Sequence, residues 1–404
     1  MPTRRTVLTA TASVLLLQAV EAPMSVAAPT AGSLAAAVAV GWQRTAARTI
    51  FVEGGSAPPL GGLYLSFTSL AVHEAALQGQ RHGTHAAAAA VARAAHDVLL
   101  EYFPLSRSAL DADLVTTLAM VPDGVKKDTG LGIGAAAAAA MIASRVGDGR
   151  NDPQYVYTRT AALGVWPAAA VPGGMVLPWL GFVDPVVDVP PVDVAGPDPI
   201  TSSAYATDFE EVRMLGATAV TDRTAEQTAV ARFFGGNPVL TYRNALCDLL
   251  AGEPLGLVPT TRLFARIDAA VASSFIQTWR LKYEVGFWRP FQAIAAAAAD
   301  GNPGTNPHPV AWASLVPTPN YSEYSSGHAA ATSPFAEVLR QTLGDDTALV
   351  LSSGGVTRSY DTLSALEFDA FNARIWGGLH FRRAMEDGYH LGHTTAGRVM
   401  TAVR

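Results

Sequence analysis

The chain has 404 residues, of which 49% are hydrophobic and 15% charged, with a net charge of −6 and a single cysteine. The length suits one large domain or two to three small ones. The acidic balance argues against a general nucleic-acid binder, which carries a basic excess. The lone Cys247 rules out a disulfide framework and a cysteine-rich zinc site.

Arg4 and Arg5 precede an apolar stretch, "TVLTATASVLLLQAV", and "SVAA" at 25–28 supplies small residues for cleavage. Residues 1–28 therefore read as an export signal. The string "TRRTVLT" is similar to a twin-arginine address, with an ordinary secretory signal as the alternative. No later apolar run is long enough to span a bilayer. The mature protein is expected to be soluble, without a membrane anchor, in the periplasm or outside the cell.

Alanine runs recur at 86–95, 135–143 and 293–299. Alanine favours helices and disfavours strands, so the chain is expected to be all-α, a bundle of closely packed helices. An N-terminal helical part, 29–150, carries helices predicted near 34–52, 62–78, 86–102, 108–120 and 131–146. Nine prolines then break any long helix across 151–200. Trp166, Trp179, Leu180 and Phe182 in this segment ask for burial, so it reads as an arm wrapping the rest. Helices resume over 201–404. Thr224 and Gln227 form a capping-box pattern, and a long helical region runs from 261 toward 288. Cys247 reads as a buried structural thiol and His73 as a packed helix residue. His390 and His393 have metal-compatible spacing but no third ligand nearby in sequence.

Three stretches carry cationic chemistry. In "LKYEVGFWRPFQAI" (281–294), Lys282 and Arg289 stand seven residues apart, interleaved with aromatics. Pro290 disfavours helix at Arg289, which frees that side chain to reach across a pocket. In "YSEYSSGHAAAT" (321–332), Ser326, Gly327 and His328 open a predicted helix. Its free N–H groups and dipole favour an anion, and His328 can exchange a proton near neutral pH. In "NARIWGGLHFRRAMEDGYHLGH" (372–393), Gly377 and Gly378 separate Arg374 from His380 and allow both to converge. Three permanent cations, a helix N-terminus and two histidines suit a tetrahedral oxyanion of two or three negative charges.

This set resembles the superfamily of vanadium-dependent haloperoxidases, type 2 phosphatidic acid phosphatases and bacterial acid phosphatases. Its signature is Lys, six residues, Arg-Pro; then Pro-Ser-Gly-His; then Ser-Arg, five residues, His. The first part is intact at Lys282, Arg289 and Pro290. Ser325 replaces the proline of the second, and Ala373 the serine of the third. The phosphatases often carry Asp four residues after the last histidine, where this chain has Ala384; Glu386 and Asp387 are the nearest acids.

The resemblance implies a helical-bundle fold with the site in its core. As a vanadate-dependent haloperoxidase acting on hydrogen peroxide and halide, the chain would bond vanadium through His380. Lys282, Arg289, Ser326, Gly327 and Arg374 would hold the vanadate oxygens, with Lys282 polarising peroxide and His328 acting as acid–base. As a phosphatase acting on a phosphate ester, the same His380 would attack phosphorus and His328 would protonate the leaving oxygen. Asp387 would orient a cationic or histidine partner, and Tyr321 falls where members vary near the halide. The exported chain, its long N-terminal half and "HFRRAMEDG" favour the haloperoxidase. An exported oxyanion-binding protein is the non-enzyme alternative, and it would not need His328.

Overall fold

The computed structural model describes residues 31–404 apart from 171–172, 220 and 253–254; the export-signal stretch 1–28 lies outside them. Among the described residues there are thirteen α-helices and one two-stranded hairpin. None of these helices is long and apolar enough to cross a membrane.

The first part contains α1 (Ala31–Ala47), which continues through a π-helical turn to Glu53, α2 (Pro58–Gly79), α3 (Thr84–Tyr102), α4 (Arg107–Ala119) and α5 (Val125–Ser144). Helix α5 starts six residues before the expected position, because its glycines do not break it. They are contact points: a Cβ at Gly130 would lie 2.2 Å from the Ala86 carbonyl oxygen, and one at Gly134 2.4 Å from that of Ala90. Glycine and alanine thus let α5 lie directly on α3.

The second part contains α6 (Ser203–Leu215), α7 (Ala225–Phe233), α8 (Pro238–Gly252), α9 (Leu257–Val285) and α10 (Pro290–Ala296). The reciprocal Thr224–Gln227 capping box opens α7 as expected. After α11 (Gly327–Leu343) comes the hairpin β1 (Leu349–Ser353) and β2 (Val356–Tyr360), antiparallel, with Ser353 opposite Val356. Gly354 and Gly355, both at positive φ, make the two-residue turn that this twist requires. Helices α12 (Leu363–Trp376) and α13 (Arg382–Ala402) complete the chain.

Helix α9 is the axis of the core, buried along one face from Thr260 to Lys282. Helices α2, α11 and α13 pack on it. Around its middle, Arg243 of α8 bonds Asp268 of α9 and Gln43 of α1, while Ser69 of α2 reaches the same aspartate. A buried pair held this way fixes register more than it adds stability. Cys247 is buried, and burial pushes its thiol up to about 11. His73 is buried too, between the Thr261 hydroxyl and the Arg404 carbonyl.

The Pro-rich segment runs over the second part. Trp166 N–H donates to Gly286 O (2.8 Å) and Trp288 N–H to Gly164 O (3.1 Å). Further on, Val176 N–H bonds Asn320 O (2.9 Å). Gly181 meets α9 so closely that a Cβ would lie 2.3 Å from Arg280 N. Arg398 of α13 donates to the Pro190 and Pro191 carbonyls. The arm therefore braces both loops that carry cationic residues.

Candidate active site

Helix α9 ends at Val285 because Gly286 takes the left-handed conformation, φ 61°. Lys282 lies in its last turn, and Arg289 is the N-cap of α10. The two do not share a helix face; they converge because the chain turns between them. Ser326 caps α11, its Oγ accepting from Ala329 N–H at 3.3 Å, and Gly327 is the first helical residue. Arg374 lies in the last turn of α12, and Gly378 at φ 77° turns the chain so that His380 comes back toward it.

Lys282, Arg289, Ser326, Gly327, Arg374 and His380 are buried, and His328 alone of the seven keeps a partly exposed edge. Arg289 Nη1 lies 3.2 Å from His380 Nε2 and donates to Leu379 O at 2.8 Å, while its Nε donates to Tyr321 O at 3.0 Å. The Tyr321 ring packs between two cations, 4.8 Å from Lys282 Nζ and 5.0 Å from Arg289 Cζ. Arg374 Nη1 donates to Phe234 O at 2.8 Å. A cradle results: a Cβ at Gly327 would press on Trp279 at 3.3 Å.

Three buried polar atoms have no partner here: Arg289 Nη2, Arg374 Nε and His328 Nε2. They come from three separate segments of sequence. A buried orphan donor costs about 1–3 kcal/mol, more when charged, so three in one place call for a ligand. Two guanidinium donors and an imidazole nitrogen fit an oxyanion.

Lys282 turns its Nζ toward the loop before α11. Its ammonium donates to the carbonyls of Ser322 (3.0 Å), Glu323 (3.0 Å) and Ser325. All three of its protons are used, so Lys282 fastens the loop before α11. Burial, and then the neighbouring Arg289, push its pKa well below the ordinary value. Burial likewise lowers Arg289, and lowers Arg374 to about 10. Both histidines are pushed well below the usual range, by burial first and by Arg289 (His380) or Arg374 (His328) next.

Asp387 pairs with Arg383 at 3.2 Å. Its other partners are Tyr324 Oη (2.5 Å) and Gly196 N–H (3.1 Å), which latch the arm to the loop before α11. The acid that meets a site histidine is Glu323, 2.9 Å from His380 Nδ1 and fully buried. Sequence reasoning passed over it, and over the Phe234–Gly236 loop. A signal for Glu323 existed: three buried cations need a counter-charge, and Glu323 is the acid inside "YSEYSSGH". Burial pushes its carboxyl up to about 8 in spite of Arg289 and Lys282. His393 pairs with Glu367 (2.7 Å), and no group of three metal-ligating side chains occurs among the described residues.

Residues 262–404 match the family model described as the VCPO second helical-bundle domain. No curated protein matches the sequence. Among solved structures, a bacterial vanadium-dependent iodoperoxidase is similar at 17% identity and TM-score 0.72, over 91% of this chain and 97% of that one. The apo form of a bacterial vanadium-dependent chloroperoxidase aligns at 16% identity and TM-score 0.68, over 84% and 92%. A holo form of such a chloroperoxidase aligns at 18% and 0.65, over 86% and 93%. The chain has the fold of these vanadium haloperoxidases, and its C-terminal third resembles the superfamily they share with the type 2 phosphatidic acid phosphatases.

Proposed function

We propose that this protein is a vanadate-dependent haloperoxidase that oxidises halide with hydrogen peroxide. The observation that carries the reading is the set of orphan atoms, Arg289 Nη2, Arg374 Nε and His328 Nε2, beside the His380 lone pair. His380 Nε2 would bond the vanadium, and Arg289, Arg374, Ser326 and the Gly327 N–H would hold the oxygens. When bound, vanadate supplies a Lewis-acidic centre that activates peroxide toward halide. Arg289 and Arg374 bring permanent positive charge, placed before reaction in a site closed to water. Lys282 keeps the loop carrying Ser326 and Gly327 in place, and reaching an oxygen would require it to exchange one carbonyl. His328 Nε2, buried and without a partner, can take a proton from entering peroxide and deliver it to the oxygen that leaves as water.

The phosphatase reading has one observation in its favour. A carboxylate behind an imidazole, as Glu323 stands behind His380, also suits a nucleophile. His380 Nε2 would form the bond to phosphorus, the ester oxygen would leave, and a protonated His328 would supply its proton. One paired assay separates the two. Protein loaded with orthovanadate is tested for bromination of a phenol indicator with peroxide and bromide, and vanadate-free protein for hydrolysis of a generic phosphate ester. Vanadate-dependent bromination is expected. Ester turnover with no halogenation at any pH overturns the proposal.

A further inference from the structure

We propose that Glu323 is the positioning residue of this site, setting the tautomer and ring orientation of His380. The inference rests on His380 being the residue bonded to the oxyanion's central atom, and not on halide being the substrate. Arg289 Nη1 carries only donors and lies 3.2 Å from His380 Nε2, so Nε2 must accept. The proton of the neutral ring is then on Nδ1, which donates to Glu323 Oε1 at 2.9 Å. The same Oε1 accepts Phe381 N–H at 3.1 Å. Two donors converge on that oxygen, so it is an acceptor whether or not the carboxyl holds a proton on its other oxygen. The outcome is a lone pair on Nε2, the form a ligand or nucleophile needs.

Glu323 is itself held on every side. Its N–H donates to Phe287 O at 2.9 Å, and its carbonyl accepts from Lys282 Nζ at 3.0 Å. The carboxylate therefore reports the position of the α9–α10 turn to the imidazole. In the phosphatases that this chain resembles, an Asp four residues after the histidine is common; here that position is Ala384, buried and without charge. The acid has come from the loop before α11 instead of from α13. That relocation joins two of the three sequence motifs through one residue: its backbone holds the turn that carries Arg289, and its carboxyl holds the loop that carries His380.

The test compares E323Q, E323D and E323A in the full chain, each checked for helix content by circular dichroism. Histidine ring ¹⁵N NMR of vanadate-free protein reads the tautomer, and orthovanadate titration reads affinity. Glutamine keeps an acceptor at the right reach, whereas aspartate keeps the charge but is one methylene short. E323Q should keep the Nδ1–H tautomer and bind within a few-fold of wild type. E323D and E323A should lose the tautomer bias and bind about 10–100-fold more weakly. If E323D matches wild type while E323Q falls, Glu323 acts only as a charge and the proposal is wrong. Unchanged tautomer and affinity in E323D also overturns it, even where E323A fails to fold. Normal tautomer and affinity without halogenation would count against the haloperoxidase reading alone.

Discussion

Arg289 and His380 meet in the core, Nη1 to Nε2 at 3.2 Å, with a guanidinium aimed at the lone pair of a neutral ring. Burial and this neighbour both push the histidine's pKa well down. The other end of the same fork, Nη2, is buried and unpartnered. Replacing Arg289 by Lys keeps the charge and removes the fork. Orthovanadate affinity, measured by titration, should fall about 10–100-fold, the range of one charge-assisted hydrogen bond at about 1.5–3 kcal/mol.

His328 keeps a partly exposed edge and an unpartnered buried Nε2. As a proton carrier it should matter to turnover more than to loading. H328A is expected to bind vanadate within a few-fold of wild type and to lose about 10²–10⁴ in kcat, the usual range for a general acid–base. Steady-state halogenation at matched vanadate occupancy checks the split.

The crossing of α11 and α13 sets the height of the cradle. A Cβ at Gly388 would lie 2.7 Å from Ala329 Cβ, one turn from Ser326. G388A is expected to destabilise the fold by about 1–3 kcal/mol, as overpacking does, and to weaken vanadate binding by displacing the α11 N-terminus. Thermal melts with and without vanadate read both effects.

Away from the site, His96 bonds two carboxylates, Asp97 at 2.7 Å through Nδ1 and Asp111 at 2.9 Å through Nε2. Both ring nitrogens therefore donate, which makes the ring an imidazolium clasping α3 to α4. Burial opposes that charge, but Asp97 and Asp111 outweigh it, and the pKa is raised above 6.5. The stabilisation is complete below the unfolded value of about 6.5 and is lost as pH rises through the raised folded value. Its size is at most about 1 kcal/mol, because Asp111 is half exposed. The melting temperature of wild type should decline from pH 6 to 9 more than that of H96Q.

What the sequence revealed and what it hid follow from physics at particular residues. Helix α11 was legible because Ser326 offers a cap and an alanine run follows it. Helix α5 was read six residues short, since Gly130 looks like a breaker until α3 is seen lying against it. The hairpin "LVLSSGGVTRSY" is short and lies between two long helices, so its β-branched residues around Gly354-Gly355 are a weak local signal. The type and spacing of Arg289, Arg374, His328 and His380 single them out, and three of the four carry buried unpartnered atoms. The carbonyl contacts of Lys282 were hidden, since donors directed at three loop carbonyls leave no trace in spacing. Glu323 was missed for the same reason: its partners, His380 and Phe381, lie 57 and 58 residues away along the chain.

The central claim is that Arg289, Arg374 and His380 form one vanadate site that drives halide oxidation. The most direct measurement loads the protein with orthovanadate, removes the excess by dialysis, and records retained vanadium per chain alongside peroxide-dependent bromination, in wild type and in H380A. We expect about one vanadium per chain and bromination in wild type, and neither in a folded H380A. Bromination that is independent of retained vanadium, or retention that is equal in H380A, would contradict the account.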